Sequence, residues 1–180
     1  VALACKRLKE MGVEAVAVCF LHSYANAEHE NRAAEIVRRE MPDIPVSVSS
    51  EILPEYREFE RFSTTALNAY VGPKVSQYLD LLASGLTEGG VSAPLRIMGS
   101  NGGAWSAAAM AKEPVNALLS GPAGGVTASI GIARRLNIPN IITYDMGGTS
   151  TDACLIRHYD YGMTTEGRVG MWPHRAPPIE

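Results

Sequence analysis

The chain has 180 residues, of which 46% are hydrophobic, 19% are charged and 7% are aromatic, and its formal net charge is −3. This is an ordinary core-forming composition without the basic excess that nucleic acids or anionic membranes attract, so we expect neither as a partner. The longest apolar run, residues 15–21, is too short to span a bilayer. The cysteines Cys5, Cys19 and Cys154 are odd in number and widely spaced, which favours free thiols and a reducing, cytoplasmic compartment.

The first part of the chain alternates helix and strand, an order that predicts a parallel α/β layer. Apolar residues at helical spacing predict a helix over residues 2–11, and the continuous apolar run at 15–21 predicts a buried strand. Asn26 is predicted to cap a helix that ends near residue 41, before Pro42. Val46–Val48 predicts a second strand. His22 and His29 could form a metal site with Glu30, but no additional ligand occurs at a diagnostic spacing, so structural roles are favoured over a metal site.

A long helical stretch is predicted over residues 54–86. Its apolar stripe includes Tyr70, Tyr78 and Leu82, which are predicted to be core residues. Pro73 is predicted to break or kink the helix. The charge run at 55–61 predicts a solvated helical face with pairs three or four residues apart. Arg61 is the member of that run that we favour for a substrate contact.

A strand over residues 95–98 leads into a glycine-containing turn. Loops at strand ends often border ligand clefts in α/β proteins, which makes Ser100, Asn101 and Gly102 candidate substrate-binding residues. A plain structural turn fits the same residues equally well.

Small residues open the next predicted helix, which runs from Ser120 to about Leu136. The segment could bind phosphate at the helix N-terminus, but it has neither the P-loop nor the dinucleotide-binding spacing. Glycine inside a helix costs roughly 1 kcal/mol relative to alanine. The close crossing of a second helix accounts for that cost, and we favour it over direct ligand contact.

The strongest chemical signal is the segment from Asp145 to Asp152. A strand at 141–144 ends at Asp145, two glycines and three hydroxyl residues follow, and a second strand occupies 153–157. The glycines allow backbone N–H groups to converge on an anion, and the hydroxyls add donors. The predicted phosphate-binding residues are Gly147, Gly148, Thr149, Ser150 and Thr151. Asp145 is predicted to hold a hydrated Mg²⁺. Asp152 either orients the loop or a water molecule, or it is a structural cap. The alternative to the whole site is a plain hairpin with a Gly-Gly turn.

The order of these segments resembles the second phosphate motif of the actin-like ATPase superfamily: a small-residue helix, a strand, and then the turn from Asp145 to Asp152. Within that superfamily, the chain resembles the hydantoinase A/oxoprolinase family over residues 14–157. The resemblance includes Ser120–Gly125, the Leu-His-Ser-Tyr segment at 21–24, the Glu-Phe-Glu-Arg segment at 58–61, and Ser100–Gly103.

The resemblance implies an α/β fold, part of a two-domain actin-like (ribonuclease-H-like) ATPase with a mixed sheet and flanking helices. Residues 1–137 would form the C-terminal part of the first domain, including the hinge helix. Residues 138–180 would begin the second domain with the phosphate-binding hairpin. The family's first phosphate motif does not occur before residue 100, so we interpret the chain as an internal fragment that has no ATPase activity alone.

The resemblance also implies an activity: the ATP- and Mg²⁺-dependent hydrolysis of a cyclic amide such as a hydantoin or 5-oxoproline. Asp145 and Asp152 would be the catalytic residues. A companion subunit or domain of the hydantoinase B type is the implied partner. The alternatives are the ATP-binding subunit of an acetone- or acetophenone-type carboxylase and a non-catalytic actin-like nucleotide-binding module.

Overall fold

The computed structural model describes residues 1–148, 150–164, 167–176 and 179. These residues form two compact units. Unit 1 comprises Val1–Ser92, Ala111–Val115 and Arg168–Arg175. Unit 2 comprises the described residues of Ala93–Met110, Asn116–Gly167 and Ala176–Glu180.

Helices and strands alternate one by one over residues 2–52 and then occur in groups. The helices are α1 (Ala2–Glu10), α2 (Glu28–Glu40), α3 (Ser49–Ile52), α4 (Glu58–Glu88), α5 (Ala107–Lys112) and α6 (Ser120–Leu136), with a 3₁₀ turn at Pro114–Ala117. The strands are β1 (Val16–Val18), β2 (Val46–Val48), β3 (Arg96–Met98), β4 (Ala104–Ser106), β5 (Ile141–Met146), β6 (Thr151–Arg157), β7 (Asp160–Tyr161), β8 (Gly167–Val169) and β9 (Trp172–His174). The helices of the described part of the chain include none with the length and apolar character needed to cross a bilayer.

The strands form small sheets. β1 and β2 are parallel, with Val16 opposite Val46, as the alternation of helix and strand predicts. β3 and β4 form an antiparallel hairpin, and β5, β6 and β7 form an antiparallel sheet in that order. The pair of β8 and β9 completes the described sheets.

Unit 1 is built around α2 and the β1–β2 pair. Its core consists of small and branched apolar residues: Cys5, Val18, Ala33, Ala34, Val37, Met41 and Val48. The N-cap residue of α2 is Ala27 and not the predicted Asn26, but the Asn26 side chain accepts a hydrogen bond from the backbone N–H of Glu28 at 2.9 Å and so satisfies one of the free donors at the start of the helix. The described cysteines are free thiols; Cys5 and Cys154 are buried, and Cys19 is half-buried.

β1 is shorter than the strand predicted at 15–21. Its pairing with β2 ends at Val18. Beyond that point, the backbone N–H and carbonyl of Phe20 form hydrogen bonds with side chains. Its N–H donates to the Glu30 carboxylate at 2.8 Å, and its carbonyl accepts from the Arg61 guanidinium at 3.0 Å. The apolar run alone does not indicate that side chains will bind the Phe20 backbone and end the strand early.

Helix α4 differs from its prediction in its continuity and in its buried face. It runs from Glu58 to Glu88 as one helix through Pro73, so the predicted break is wrong. Tyr70 and Tyr78, predicted as core, are 81% and 61% exposed, while Leu82 is half-buried. The buried face is largely polar and consists of Arg61, Thr64, Thr65, Asn68, Ala69, Gly72 and Leu79. These residues keep helical spacing. The predicted helical period is therefore confirmed, whereas the predicted buried face is wrong.

Unit 2 packs α6 against one face of the β5–β6 hairpin. Val126 and Ile130 of the helix form a core with Cys154 and Ile156 of β6. α6 begins at Ser120 and ends at Leu136, as predicted. Its preceding residue, Leu119, has a left-handed backbone conformation with φ 63°, which directs the chain sharply into the helix.

Candidate functional site

The two predicted catalytic aspartates lie opposite each other across the β5–β6 hairpin. The register pairs Asp145 with Asp152, and the neighbouring positions pair Thr143 with Cys154 and Met146 with Thr151. Both aspartates are exposed. Like charges at directly opposed positions of an antiparallel pair destabilise the sheet. The arrangement therefore suits a site where a cation offsets the repulsion.

A cleft of about 560 Å³ lies between this hairpin and the first half of α6. Asp145 and Asp152 line it together with Pro122, Ala123 and Gly125 of the helix. The start of α6 and the two acids that flank the β5–β6 turn thus border one space within unit 2, whereas Gly147, Gly148, Ser150 and Thr151 do not line it.

The turn between β5 and β6 contains the predicted phosphate-binding residues. The N–H of Gly147 donates to the carbonyl of Ser150 at 2.9 Å, so that amide is already used within the turn. Gly147, Gly148, Ser150 and Thr151 are all exposed. Thr149, which was predicted to bind phosphate, lies outside the described residues.

The backbone conformation does not require glycine at either glycine position of this turn. Gly147 and Gly148 do not have the positive φ that side chains avoid. A Cβ added to Gly148 meets nothing within 4 Å in the described structure, and one added to Gly147 meets only the Ser150 carbonyl oxygen at an ordinary 3.6 Å. A plain hairpin would therefore accept larger residues here.

The close helix crossing predicted for α6 does not occur within the described residues. A Cβ added to Gly121, Gly125 or Gly131 meets nothing within 4 Å, and one added to Gly124 meets only the Met98 side chain at 3.8 Å. The N-terminal part of the helix borders the cleft instead, so its small residues lie where a ligand in the cleft would contact them.

The Ser100–Gly102 turn connects β3 to β4 in unit 2 and does not line the cleft. Ser100 is 2% exposed, and its N–H donates to the Asn116 carbonyl at 2.8 Å. The Ser100 hydroxyl has no hydrogen-bond partner within the described structure. Asn101 accepts a hydrogen bond from the Tyr161 hydroxyl through its carbonyl, at 3.2 Å. The substrate role of these residues stays a prediction.

Gly102 is the residue of this turn that the structure requires to be glycine. Its φ is +75°, and an added Cβ would lie 2.8 Å from the Thr127 hydroxyl and 2.9 Å from the Tyr161 hydroxyl. Both neighbours are held, since Thr127 donates to the Ala123 carbonyl and Tyr161 to the Asn101 carbonyl. The position therefore combines backbone strain with a steric clash for any larger residue.

We expect Gly102→Ala to destabilise the protein more than Gly90→Ala. Gly90 has a similar φ of +80° but open space around an added Cβ. The Gly90 control should lose about 1 kcal/mol from backbone strain alone. Gly102→Ala should lose about 1–3 kcal/mol more through overpacking. Urea unfolding of both variants measures the difference, and equal losses would contradict the clash.

Arg61, predicted as a substrate contact, is fully buried in unit 1. Its guanidinium donates to the backbone carbonyls of Phe20 and Glu55 and to the Ser49 hydroxyl, the last at 3.2 Å. It also lies 5.5 Å from the ring centre of Tyr24. These contacts give Arg61 a structural role in joining α4 to the segments before α2 and α4, and its substrate role stays a prediction.

Glu30 is the acidic counterpart of Arg61 in this buried cluster. It is fully buried and accepts hydrogen bonds from the Phe20 N–H, the Ser49 hydroxyl and the Ser50 N–H at 2.7–2.8 Å. Burial opposes ionisation, but the donors on Ser50, Ser49 and Phe20 outweigh it and hold the pKa of Glu30 below its ordinary value. Ser49 links the two charges by donating to Glu30 and accepting from Arg61.

Cys19 lies beside the same cluster. Burial, reinforced by the charge of Glu30, raises the pKa of its thiol to about 11. The thiol is therefore protonated at neutral pH and a poor nucleophile, in keeping with the free-thiol prediction.

The described residues bring no group of three or more histidine, cysteine or acidic side chains together as a metal site. His22 lies 3.9 Å from Glu58 as an exposed pair, and Glu30 is used inside the buried cluster. A zinc-type centre is therefore not formed by the described side chains, whereas a hydrated Mg²⁺ needs only one or two carboxylates.

Family models and curated relatives match the chain. The Hydantoinase/oxoprolinase family model matches residues 61–180, and the model of the Hydantoinase/oxoprolinase N-terminal region matches residues 1–41. Caprolactamase subunit alpha of Pseudomonas jessenii is 41% identical over 82% of this chain. The aligned region is 21% of that relative, so the chain spans about a fifth of its length.

Solved structures match almost the whole chain. The crystal structure of the ATP-dependent caprolactamase from Pseudomonas jessenii is 35% identical with a TM-score of 0.88, and the nucleotide-free structure of acetone carboxylase is 30% identical with a TM-score of 0.87. Each covers 99% of this chain, which corresponds to 26% of the solved chain. The predicted α/β class and the resemblance are confirmed, and the chain belongs to the hydantoinase/oxoprolinase family.

Proposed function

We propose that this chain is part of an ATP-dependent enzyme that hydrolyses a cyclic amide. The observation that carries the proposal is the opposed pair of Asp145 and Asp152 at a cleft bordered by the start of α6. The similarity to a caprolactamase described as ATP-dependent supports it. In this proposal the β5–β6 turn faces the terminal phosphates of ATP.

The donor set at the hairpin fits Mg²⁺. This ion keeps several water molecules and binds proteins through one or two carboxylates together with phosphate oxygens. Asp145 would hold it through water, and Asp152, directly opposite, would hold a second water molecule. When bound, the ion neutralises charge on the phosphate oxygens.

The β5–β6 turn offers several further donors to phosphate. The N–H of Gly148 makes no hydrogen bond in the described structure, and Ser150 and Thr151 contribute exposed hydroxyls. Gly147 and Gly148 would allow phosphate to approach the backbone closely, and Thr149 would supply a third hydroxyl.

The proposed chemistry activates the amide carbonyl. The carbonyl oxygen bonds to the terminal phosphorus of ATP as the bond to ADP breaks, which gives an imidate-like phosphate. Water then attacks the carbon, the ring C–N bond breaks, and the nitrogen leaves with a proton. A second water molecule releases phosphate from the resulting acyl phosphate. The protein's contribution to phosphoryl transfer is mainly positioning and charge stabilisation.

The proposal extends to the enzyme beyond this chain. We place residues 1–137 in the first actin-like domain, with α6 as its hinge helix, and residues 138–180 at the start of the second. A relative named as an alpha subunit supports a companion subunit, which we propose is of the hydantoinase B type. We further propose that the enzyme acts in the cytoplasm.

A carboxylase is the second candidate function. The specific observation in its favour is the TM-score of 0.87 with acetone carboxylase, close to the value for caprolactamase. The phosphate site proposed at β5–β6 would serve either enzyme, because both would activate an oxygen atom of a small molecule or of bicarbonate. The product therefore distinguishes the two functions.

We expect the full-length enzyme that carries this chain to hydrolyse ATP in response to a cyclic amide and to release the ring-opened amino acid. Gly148→Ala should weaken ATP binding by about tenfold or more, because its methyl group enters the space proposed for phosphate. Its stability should change by less than about 0.5 kcal/mol, since an added Cβ meets no described atom.

The measurements are phosphate release, product analysis with and without bicarbonate, and nucleotide titration. Gly131→Ala is the matched control, because an added Cβ also meets nothing within 4 Å there and Gly131 lies in the second half of α6, away from the β5–β6 turn. Equal ATP affinity in the two variants would contradict the phosphate site. A product formed only with bicarbonate would favour the carboxylase.

A further inference from the structure

A second cavity lies within unit 1, apart from the residues proposed to bind ATP. Its volume is about 540 Å³. α2, α3 and α4 contribute to its wall, and residues 111–114 complete it. Its lining includes Arg38, Ser47, Glu51, Asn68 and Lys112.

Both signs of charge line this cavity. Arg38 and Glu51 form an ion pair at 3.4 Å in which each side chain is about half exposed. The Lys112 ammonium makes no ion pair with any described residue, and it is exposed. Glu113 is a further acidic residue of the wall. A ligand with a single charge would meet repulsion as well as attraction here, whereas one with both charges is complementary to both signs.

The wall is held in place by a fully used amide side chain. Asn68 is 2% exposed; it donates to the Ser47 hydroxyl at 3.0 Å and to the Lys112 carbonyl at 3.2 Å. Its own carbonyl oxygen accepts from the Val115 N–H at 3.1 Å. These bonds fix the backbone of Lys112 relative to α4 and β2. The position of the Lys112 ammonium is therefore set partly by its fixed backbone and partly by its flexible side chain.

We propose that this cavity binds an amino acid in its zwitterionic form, with the carboxylate at Lys112 and the ammonium at Glu51. The choice of an ω-amino acid within this class rests on the proposed function. Adding water across the ring C–N bond of a lactam produces one carboxylate and one ammonium on the same molecule. The cavity would then sense the product of the reaction.

The test is isothermal titration of the protein with 6-aminohexanoate, hexanoate and hexylamine, which share a carbon chain and differ in charge. We expect the zwitterion to bind with a Kd of about 1 mM or tighter, and at least about tenfold more tightly than either singly charged analogue. Lys112→Gln should weaken binding by about tenfold or more, whereas Lys74→Gln, an exposed lysine of α4 outside the cavity, should leave it unchanged. Thermal unfolding of both variants checks their folding.

Equal binding of hexanoate and 6-aminohexanoate, an unchanged affinity in Lys112→Gln, or no saturable binding at about 10 mM would each overturn the proposal. The titration contains no nucleotide, so its result is separate from that of the ATP hydrolysis assay. A zwitterion that binds while cyclic amides fail to stimulate ATP hydrolysis would refute the proposed function and leave the cavity assignment standing.

Discussion

Asp145→Asn in the full-length enzyme is expected to lower amide-dependent ATP hydrolysis by about 100-fold or more, the size typical for loss of one electrostatic stabiliser in an active site. The substitution keeps the shape of the side chain and an oxygen acceptor, but it removes the negative charge that would hold a hydrated Mg²⁺. The same substitution should make the folded protein more stable. Asp145 and Asp152 are opposed in the hairpin, and removing one of two like charges should stabilise the sheet by about 0.2–1 kcal/mol.

The opposite signs of these two effects make the test selective. A variant that lost activity through poor folding would lose stability as well. Phosphate release measures the first effect, and urea unfolding without Mg²⁺ measures the second. Asp160→Asn, an exposed aspartate of β7 in the same sheet and outside the cleft, should change neither by much. Near wild-type hydrolysis by Asp145→Asn would refute the assignment of this residue.

The β5–β6 hairpin shows how much of the candidate site could be predicted from the sequence. Its two strands, its turn and its flanking acids follow from local patterns: an apolar run that ends in an acid, glycines, hydroxyl residues and a second run. The exact opposition of Asp145 and Asp152 depends on the ladder register, which continues two residues further towards the turn on each strand than predicted. The cleft with α6 depends on packing that brings the hairpin against a helix.

Helix α4 shows why the remaining part of the fold could not be predicted in the same way. Helical periodicity predicts that the apolar stripe faces the core, since apolar burial is the dominant driving force in folding. Instead, Thr64 and Thr65 are buried with their hydroxyls donating to the carbonyls four residues earlier, and Asn68 bonds to Ser47, Lys112 and Val115. A polar face is acceptable in a core when every group finds a partner. The partners of Asn68 are distant along the chain, so helical periodicity alone does not identify them.

The buried cluster of Glu30, Ser49 and Arg61 predicts the largest effect on stability. We expect Arg61→Met to lower the free energy of unfolding by about 3–5 kcal/mol, because the buried carbonyls of Phe20 and Glu55 and the Ser49 hydroxyl lose a charged donor. The Glu30 charge, which Ser49 bridges to Arg61, also loses the nearby cation. Methionine keeps an apolar stem between the rings of Tyr24 and Phe62, so loss of packing contributes little to the difference. A loss of this size is comparable to the whole stability of a marginal domain, about 5 kcal/mol.

Two further variants separate the charge effect from a general disturbance of α4. Arg57→Met, at an exposed arginine whose ion pair with Glu60 spans 3.6 Å, should cost less than about 1 kcal/mol. Adding Glu30→Gln to Arg61→Met should recover part of the loss, because the buried group is then neutral. Urea unfolding at neutral pH measures all three, and an Arg61→Met loss no larger than that of Arg57→Met would show that the pair is not coupled.

The pH dependence of unfolding supplies an independent check on the same cluster. Because the pKa of Glu30 is lower in the folded protein than its ordinary value, the unfolded chain binds this proton first as the pH falls. The stabilisation is therefore fully present above about pH 4.3, the ordinary value for glutamate, and is lost as the pH drops through the folded pKa. Glu30→Gln should flatten this acid part of the stability curve and leave the curve above it parallel to that of the wild type. An unchanged acid slope would mean that Glu30 is not held as a charged acceptor by Ser49, Ser50 and Phe20.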